Sequence, residues 1–283
     1  MKRLLLLLLL IAAPAGAQEA RPKRIVSLIP AVTEMIYAMG DGARVVAVSN
    51  YDNFPAAVAR LPRVGGLLDP SVERILALTP DLVIVYASQK ELIAALDRVR
   101  IPYFNYEHRG LADVMTTIRS VGTRIGSSPR ADTLAAGMDR VLADIHAKTS
   151  GLPHPATLLV FSRERGSLRN VYASGGYGFL HDMLEVAGGR NVFAGMKQQS
   201  VQAGTELLLT SKPEVIIELI YGSGLKHADS MRDLHAWDAL GSLPAVRTRR
   251  VLALTGDEFV VPGPRVVEAT LKLARAIHPD AFK

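Results

Sequence analysis

Glu73-Arg-Ile-Leu-Ala-Leu-Thr-Pro80, followed at once by Asp81-Leu-Val-Ile-Val-Tyr86, returns later in the chain as Glu206-Leu-Leu-Leu-Thr-Ser-Lys-Pro213 followed by Glu214-Val-Ile-Ile-Glu-Leu219. In each copy a helix-forming run stops at a proline, and an apolar, β-branched run begins directly behind it. Glu and Pro stand seven apart both times. A repeat of this length predicts two similar lobes related by a pseudo-twofold, with a ligand in the crevice at the carboxyl ends of their strands. Independent α/β units that share helix–proline–strand punctuation would give the same pattern, and on sequence alone that alternative stands.

Outward from the first copy, strands and helices alternate. Arg24-Ile-Val-Ser-Leu-Ile-Pro30 reads as a strand feeding a helix over Ala31 to Met39, stopped by Gly40. Val45 to Val48 is the next strand, Ser71 to Leu78 a helix, Asp81 to Tyr86 a strand, Gln89 to Val99 a helix and Pro102 to Tyr106 a strand. The second half opens with a strand at Leu158 to Phe161 and a helix from Phe179 to Ala187, stopped by Gly188 and Gly189. Between the halves, Leu134, Met138, Val141, Leu142 and Ile145 recur at helical spacing within Ser128 to Ser150. A helix of that length is a rod of about 33 Å, stiffer than two extended linkers, which predicts modest lobe movement. The predicted fold is α/β: two doubly wound lobes with mainly parallel sheets, residues 18–127 and 151–283, joined by one long helix over residues 128–150.

Lys2 and Arg3, an apolar run from Leu4 to Ile11, and Ala15-Gly-Ala17 before Gln18 have the form of a secretory leader, residues 1–17, too short to span a bilayer. The chain contains no Cys, so the expectation is an exported, periplasmic protein without a lipid anchor or disulfides, stabilised by packing. Loss of Lys2 and Arg3 lowers the net charge from +6 to +4. Basic residues are scattered and carry no aromatic stripe, which argues against nucleic acid as a partner. There is no phosphate loop, dinucleotide fingerprint or nucleophile elbow; Gly175-Gly-Tyr-Gly178 lacks the fingerprint spacing and reads as a tight turn. An exported α/β enzyme would rest on fold class alone.

Pro30-Ala-Val-Thr-Glu-Met35, Val48-Ser-Asn-Tyr-Asp-Asn-Phe-Pro55, Leu61-Pro-Arg-Val-Gly-Gly66, the Glu73 to Val83 stretch, Phe179 to Val192 and Pro262-Gly-Pro-Arg265 together resemble the helical-backbone solute-binding proteins of ABC importers. The resemblance covers almost all of the chain beyond the leader. Within that superfamily it is similar to the periplasmic cobalamin-binding family, through Tyr51 before Asp-Asn-Phe-Pro. It implies a monomer that binds a corrinoid as cargo, holds no cofactor, and hands the cargo to the importer's membrane subunits. Haem or a ferric siderophore is the alternative cargo. By position, Tyr51, Tyr86, Tyr172 and Asp257 correspond to ligand contacts, and Glu73 and Glu206 to glutamates that dock on the permease. Two positions where the family places Trp are Leu67 and Ser200, and the single Trp, Trp237, falls in the core of the superfamily.

The residue types fit these roles, each beside a plainer one. Tyr51, Tyr86, Tyr172, Tyr177 and Tyr221 combine an apolar ring with a polar handle, as a partly wet macrocycle site requires, although ordinary half-buried tyrosines look the same. Glu73 and Glu206 would offer a twofold permease one carboxylate per lobe, and would equally complement a helix dipole. The histidines show no His-x-x-x-His spacing, so no metal site is predicted; His108, just beyond a strand end, is the residue placed to act as an axial ligand, or simply a loop histidine. Arg109, Arg163 and Arg165 could clamp carboxylates or phosphates of a ligand.

Overall fold

The structure, a computed structural model, describes residues 21–222 and 233–282; the leader predicted over residues 1–17 and His227 lie outside these. The chain folds into two α/β lobes with mainly parallel sheets. In the N-terminal lobe, β1 (Ile25–Ser27), β2 (Val45–Val48), β3 (Leu82–Tyr86) and β4 (Tyr103–Tyr106) form an all-parallel sheet of order β2-β1-β3-β4, and the chain reverses direction across the sheet between β1 and β3. Around it lie α1 (Pro30–Ala38), α2 (Val72–Ala77), α3 (Lys90–Arg98) and α4 (Leu111–Arg124). Helix α5 (Ser128–Thr149) leads into the C-terminal lobe, with β5 (Ala156–Ser162), β6 (Val171–Ser174), β7 (Arg190–Asn191), β8 (Ser200–Ala203), β9 (Val215–Ile220) and β10 (Val251–Thr255). Its sheet runs β10-β9-β5-β6-β8, with β7 alongside β5; β9 and β10 are parallel to β5, while β6 is antiparallel to both neighbours. The helices here are α6 (Phe179–Val186), α7 (Thr205–Ser211), α8 (Pro244–Arg247) and α9 (Val266–Ile277).

The internal repeat extends to the backbone. Thr79 and Lys212, each just before the repeated proline, are left-handed at φ 45° and 44°. Asp81 and Glu214, each just after it, accept N–H bonds from the residues entering the neighbouring strand: Lys23 and Arg24 donate to Asp81 at 2.7 and 2.8 Å, and Ala156 donates to Glu214 at 2.7 Å. Helices α1 and α6 end alike. Gly40 and Gly188 sit at φ 77° and 79°, and behind them Asp41 N–H reaches Ile36 C=O and Gly189 N–H reaches Leu184 C=O, each at 3.0 Å. This is the six-to-one closure of a Schellman motif, whose left-handed residue glycine adopts without a Cβ penalty.

Strand alternation divides the interior in three. Ile25, Leu82, Ile84, Leu159, Val215 and Ile217 point into one continuous core that includes both lobes and α5. Their sequence neighbours Val26, Val83 and Val85 face a separate cluster behind the first sheet. Leu158, Val160 and Ile216 face another behind the second, which contains the buried Trp237. Side chains of successive strand residues point to opposite faces, so each sheet gives one face to its own lobe and the other to the shared interior.

Helix α5 is pinned at both ends. Its start is held by Asp41, which accepts from Ser127 Oγ at 2.5 Å and Arg130 Nη2 at 2.8 Å; its end by Thr149, whose Oγ1 donates to Val186 C=O at 3.0 Å. Burial alone would raise the Asp41 carboxyl, but the Ser127 hydroxyl, Arg44 and Arg130 hold it below its ordinary value. Along its length, Ala131, Ala135, Met138, Leu142 and Ile145 are buried. The approach to α4 is so close that a Cβ on Gly122 would stand 2.2 Å from the Ala131 Cβ. Among the described residues no helix is long and apolar enough to cross a membrane.

Candidate functional site

The carboxyl ends of both sheets open on one cleft. Its main cavity, about 290 Å3, lies between the lobes and is mostly apolar. Pro30, Glu34, Tyr51, Asn53 and Phe54 line it from the N-terminal lobe, and Tyr221, Gly222, Asp257, Val260, Val261 and Arg265 from the C-terminal lobe. Tyr221 is shared with a second cavity of about 200 Å3 over the ends of β5 and β9. Phe161 is shared between that cavity and a third, of about 150 Å3, beside Tyr177, Phe179, Gln199 and Ser200. Each shares a lining residue with the next, and together they make up a trough of the size that small-molecule sites occupy, about 300–1,000 Å3.

Aromatic rings stand exposed along it: Tyr51 at 67%, Phe54 at 46%, Tyr177 at 43% and Tyr221 at 38%. Each leaves apolar surface in water that a ligand would cover at roughly 25 cal/mol per Å2. Tyr51 rests on a glycine turn, for a Cβ on Gly66 would stand 2.6 Å from its Cε2. Beneath the turn, Gln89, 4% exposed, donates to the carbonyls of Gly66 and Leu67 at 3.2 Å each and accepts the Tyr86 N–H at 3.0 Å.

The floor is an ion network that joins the lobes. Arg265, just before α9, makes a bidentate bond to Glu34 of α1, Nη2 to Oε1 at 2.6 Å and Nε to Oε2 at 3.0 Å. Its Nη1 reaches Glu258 at 3.2 Å, Glu258 also holds Lys272 at 2.5 Å, and the Phe54 ring lies 4.2 Å from the guanidinium. Burial pushes the Glu34 carboxyl up and Arg265 pulls it back only in part. For Arg265, burial works against the charge, but the Glu34 bond outweighs it and its pKa is raised. A matching contact runs the other way on the opposite flank: Asp182 of α6 accepts the Leu111 N–H at the start of α4, at 2.7 Å. Asp52, fully buried behind Tyr51, accepts from Ser49 Oγ at 2.5 Å; burial raises its pKa.

The structure brings Tyr51, Asp257, Tyr177 and Tyr221 to the trough, with Asp257 accepting the Gly222 N–H at 2.8 Å. Tyr86 and Tyr172 are partly buried and are not among the residues lining these three cavities. Tyr86 packs edge-on against Tyr106 at 5.6 Å, and Tyr172 lies 6.5 Å from Phe161. His108 is stacked between rings, 6.3 Å from Tyr106 and 5.1 Å from Phe179, and burial depresses its pKa. Its Nδ1 is buried without a hydrogen-bond partner among the described residues. No group of three His, Cys, Asp or Glu able to hold a metal occurs among the described residues. Glu73 and Glu206 are exposed in the first turns of α2 and α7, one per lobe, with no ion-pair partner among the described residues. Arg163 is buried, bonded to Glu218 and Asp233, and Arg109 is exposed 3.8 Å from Glu107. Leu67 is half-exposed beside the glycine turn, and Ser200 lines the third cavity.

Glu34, Phe54, Gln89 and Arg265 went unassigned in the sequence reading. Phe54 and Arg265 sit inside the quoted Asp-Asn-Phe-Pro and Pro-Gly-Pro-Arg segments, so their motifs were visible although their contact, 211 positions apart in the chain, was not.

Residues 25–258 match the family model described as periplasmic binding protein. An uncharacterised ABC transporter substrate-binding lipoprotein of Bacillus subtilis, YvrC, is 30% identical over 270 residues, covering 94% of this chain and 83% of the relative. A vitamin B12-binding protein of Yersinia pestis is 27% identical over 272 residues, 95% of this chain and 90% of that one. Among solved structures, the haem-binding protein RhuT of Roseiflexus superposes with a TM-score of 0.76 at 26% identity, over 92% of this chain and 99% of its own. The vitamin B12-binding protein BtuF of Vibrio cholerae superposes with a TM-score of 0.77 at 24% identity, over 93% and 99%, a likeness of fold. The chain belongs to the periplasmic binding protein family.

Proposed function

We propose that this member of the periplasmic binding protein family captures a corrinoid in the trough between its lobes, residues 18–127 and 151–283, and delivers it to the membrane subunits of an ABC importer. The leader over residues 1–17 would export it to the periplasm. The observation that carries the reading is the row of exposed rings, Tyr51, Phe54, Tyr177 and Tyr221, along a cavity bounded by both lobes. A flat macrocycle with a polar rim suits such a surface, because ring faces cover its apolar plane while hydroxyls and Asp257 meet its edge. Tyr86 and Tyr172, the other two ligand contacts in this reading, pack against Tyr106 and Phe161. Glu73 and Glu206, exposed in each lobe and without an ion-pair partner among the described residues, are the docking carboxylates, and the bound cargo is transported rather than used in a reaction.

Haem is the second reading. It is favoured by the likeness to RhuT, and by Leu67 and Ser200, which leave the trough without two indole faces. His108 does not decide between them, since its ring is packed between Tyr106 and Phe179. Titration of the mature protein with cyanocobalamin and haemin, followed by visible absorbance and heat, tests both. Submicromolar binding of the corrinoid, weakened at least tenfold by Tyr51→Ala, is the expected result. Tight binding of haemin alone would replace the cargo, and binding of neither would remove the macrocycle reading.

A further inference from the structure

Arg163 and Arg165 leave the same strand end and meet different fates. Arg163 has a side chain only 4% exposed. Its Nε and Nη2 bond Glu218 at 2.5 and 3.1 Å, Nη2 also reaches the Asp233 carboxylate at 2.9 Å, and Nη1 donates to the carbonyls of Glu164 and Ser167 at 3.2 and 3.1 Å. It is fully bonded within the lobe and has no donor left for a ligand. The acids beside it are equally committed: Glu218 also accepts from Trp237 Nε1, and Asp233 accepts the Gly166 N–H at 2.6 Å.

Arg165, two residues on, is exposed, lines the 200 Å3 cavity, and makes no ion pair or side-chain hydrogen bond among the described residues. The Ser162 and Tyr221 hydroxyls line the same cavity and likewise have no hydrogen-bond partner among the described residues. Tyr221 connects this donor-rich end to the apolar main cavity, where Asp257 stands close by on the same lobe with its carboxylate accepting the Gly222 N–H. Free donors and a guanidinium thus gather in the cavity over β5 and β9, next to the aromatic rings of the main cavity.

We infer that Arg165 is the anion-recognition residue of the trough: it takes a carboxylate or phosphodiester on the edge of a flat apolar ligand and so sets which way round that ligand lies. The inference rests on the macrocycle reading above and deepens it. A guanidinium holds either anion through paired N–H bonds, which an ammonium cannot reproduce.

Two matched pairs of probes separate the anion from the ring: haemin against its dimethyl ester, and cyanocobalamin against cobinamide, which lacks the phosphodiester. Each is titrated into the wild type, Arg165→Ala and Arg165→Lys at low and moderate salt. Arg165→Ala should weaken the member of one pair that carries the carboxylate or phosphodiester about tenfold, as expected for one charge-assisted contact, and leave the partner lacking that group unchanged. Arg165→Lys should recover part of the loss, and added salt should narrow the gap. The pair that responds names the anion as carboxylate or phosphodiester. Equal loss for both members of a pair, or no loss in either pair, overturns the inference while the macrocycle reading stands. If the wild type binds none of the four, both fall. Because Arg165 has no ion-pair or side-chain hydrogen-bond partner to lose among the described residues, the variants should melt with the wild type.

Discussion

Removing Arg265 should cost this protein about 3 to 5 kcal/mol of stability, the usual consequence of breaking a buried ion pair from one side. The guanidinium satisfies Glu34 in bidentate fashion, and the side chains of Glu34 and Glu258 are only 3% and 7% exposed. In Arg265→Ala, Glu258 keeps Lys272 at 2.5 Å, whereas Glu34 is left without its cation and Phe54 loses the charge 4.2 Å from its ring. The cost should also depend on pH in a set direction. Glu34 already has a raised pKa through burial; without Arg265 it rises further, and a proton takes the place of the lost cation at low pH. The destabilisation is thus largest near pH 8 and smaller near pH 5. Since one core spans both lobes, urea should unfold them in a single transition. With a slope of about 3 kcal/mol per molar urea, the midpoint at pH 8 should fall by about 1 M or more. Glu34→Met combined with Arg265→Met should regain most of it, as apolar replacements of buried pairs do. A loss under about 1 kcal/mol at pH 8, or an equal loss at pH 5, would refute the assignment of this network as the clamp between the lobes.

Three further outcomes are expected. Burial holds the His108 pKa below 6.5 against the pull of Asp113 and Asp182; the unfolded chain therefore binds the proton more strongly, and stability should fall as pH drops below 6.5, by at most about 1.4 kcal/mol per pH unit. Denaturation of His108→Phe across pH 4 to 7 should lack that slope, and an unchanged slope would place the titration elsewhere. Gly66→Ala should displace the Tyr51 ring, since its Cβ would stand 2.6 Å from Cε2; calorimetric titration should show lower ligand affinity with little change in melting temperature, and full affinity would show that Tyr51 is not a contact. Glu73→Arg with Glu206→Arg should abolish uptake in cells carrying the importer while in vitro affinity is unchanged; a drop in affinity would move these residues from docking to ligand contact.

The lobes, their strands and the joining helix were legible because each depends on local chemistry. Apolar β-branched runs, Pro80 and Pro213 as punctuation, and Gly40 and Gly188 as helix stops act within a turn or two of themselves. The left-handed backbone shared by Thr79 and Lys212, just before those prolines, came only from the structure. The strands β6 and β8 escaped this reading: they are short, and their antiparallel pairing depends on a partner supplied by the rest of the sheet. Helix α4 was also missed. Its buried face is set by α5, which approaches closely because position 122 is glycine.

For the site, the family resemblance marked Tyr51, Tyr86, Tyr172 and Asp257 as ligand contacts, and the repeat marked Glu73 and Glu206 as a symmetric pair. Sequence alone could not distinguish Arg163 from Arg165, two residues apart with the same chemistry, nor the exposed Tyr51 from Tyr86, partly buried against Tyr106. Whether a guanidinium is free or buried against Glu218 and Asp233, and whether a ring faces a cavity or another ring, depends on groups that come from distant parts of the chain. The same holds for Glu34 and Arg265, which meet only when both lobes have folded onto α5. Composition and spacing determined what the lobes are made of; burial and long-range contact, properties of the closed tertiary structure, decided which of its charges and rings are left over for a ligand.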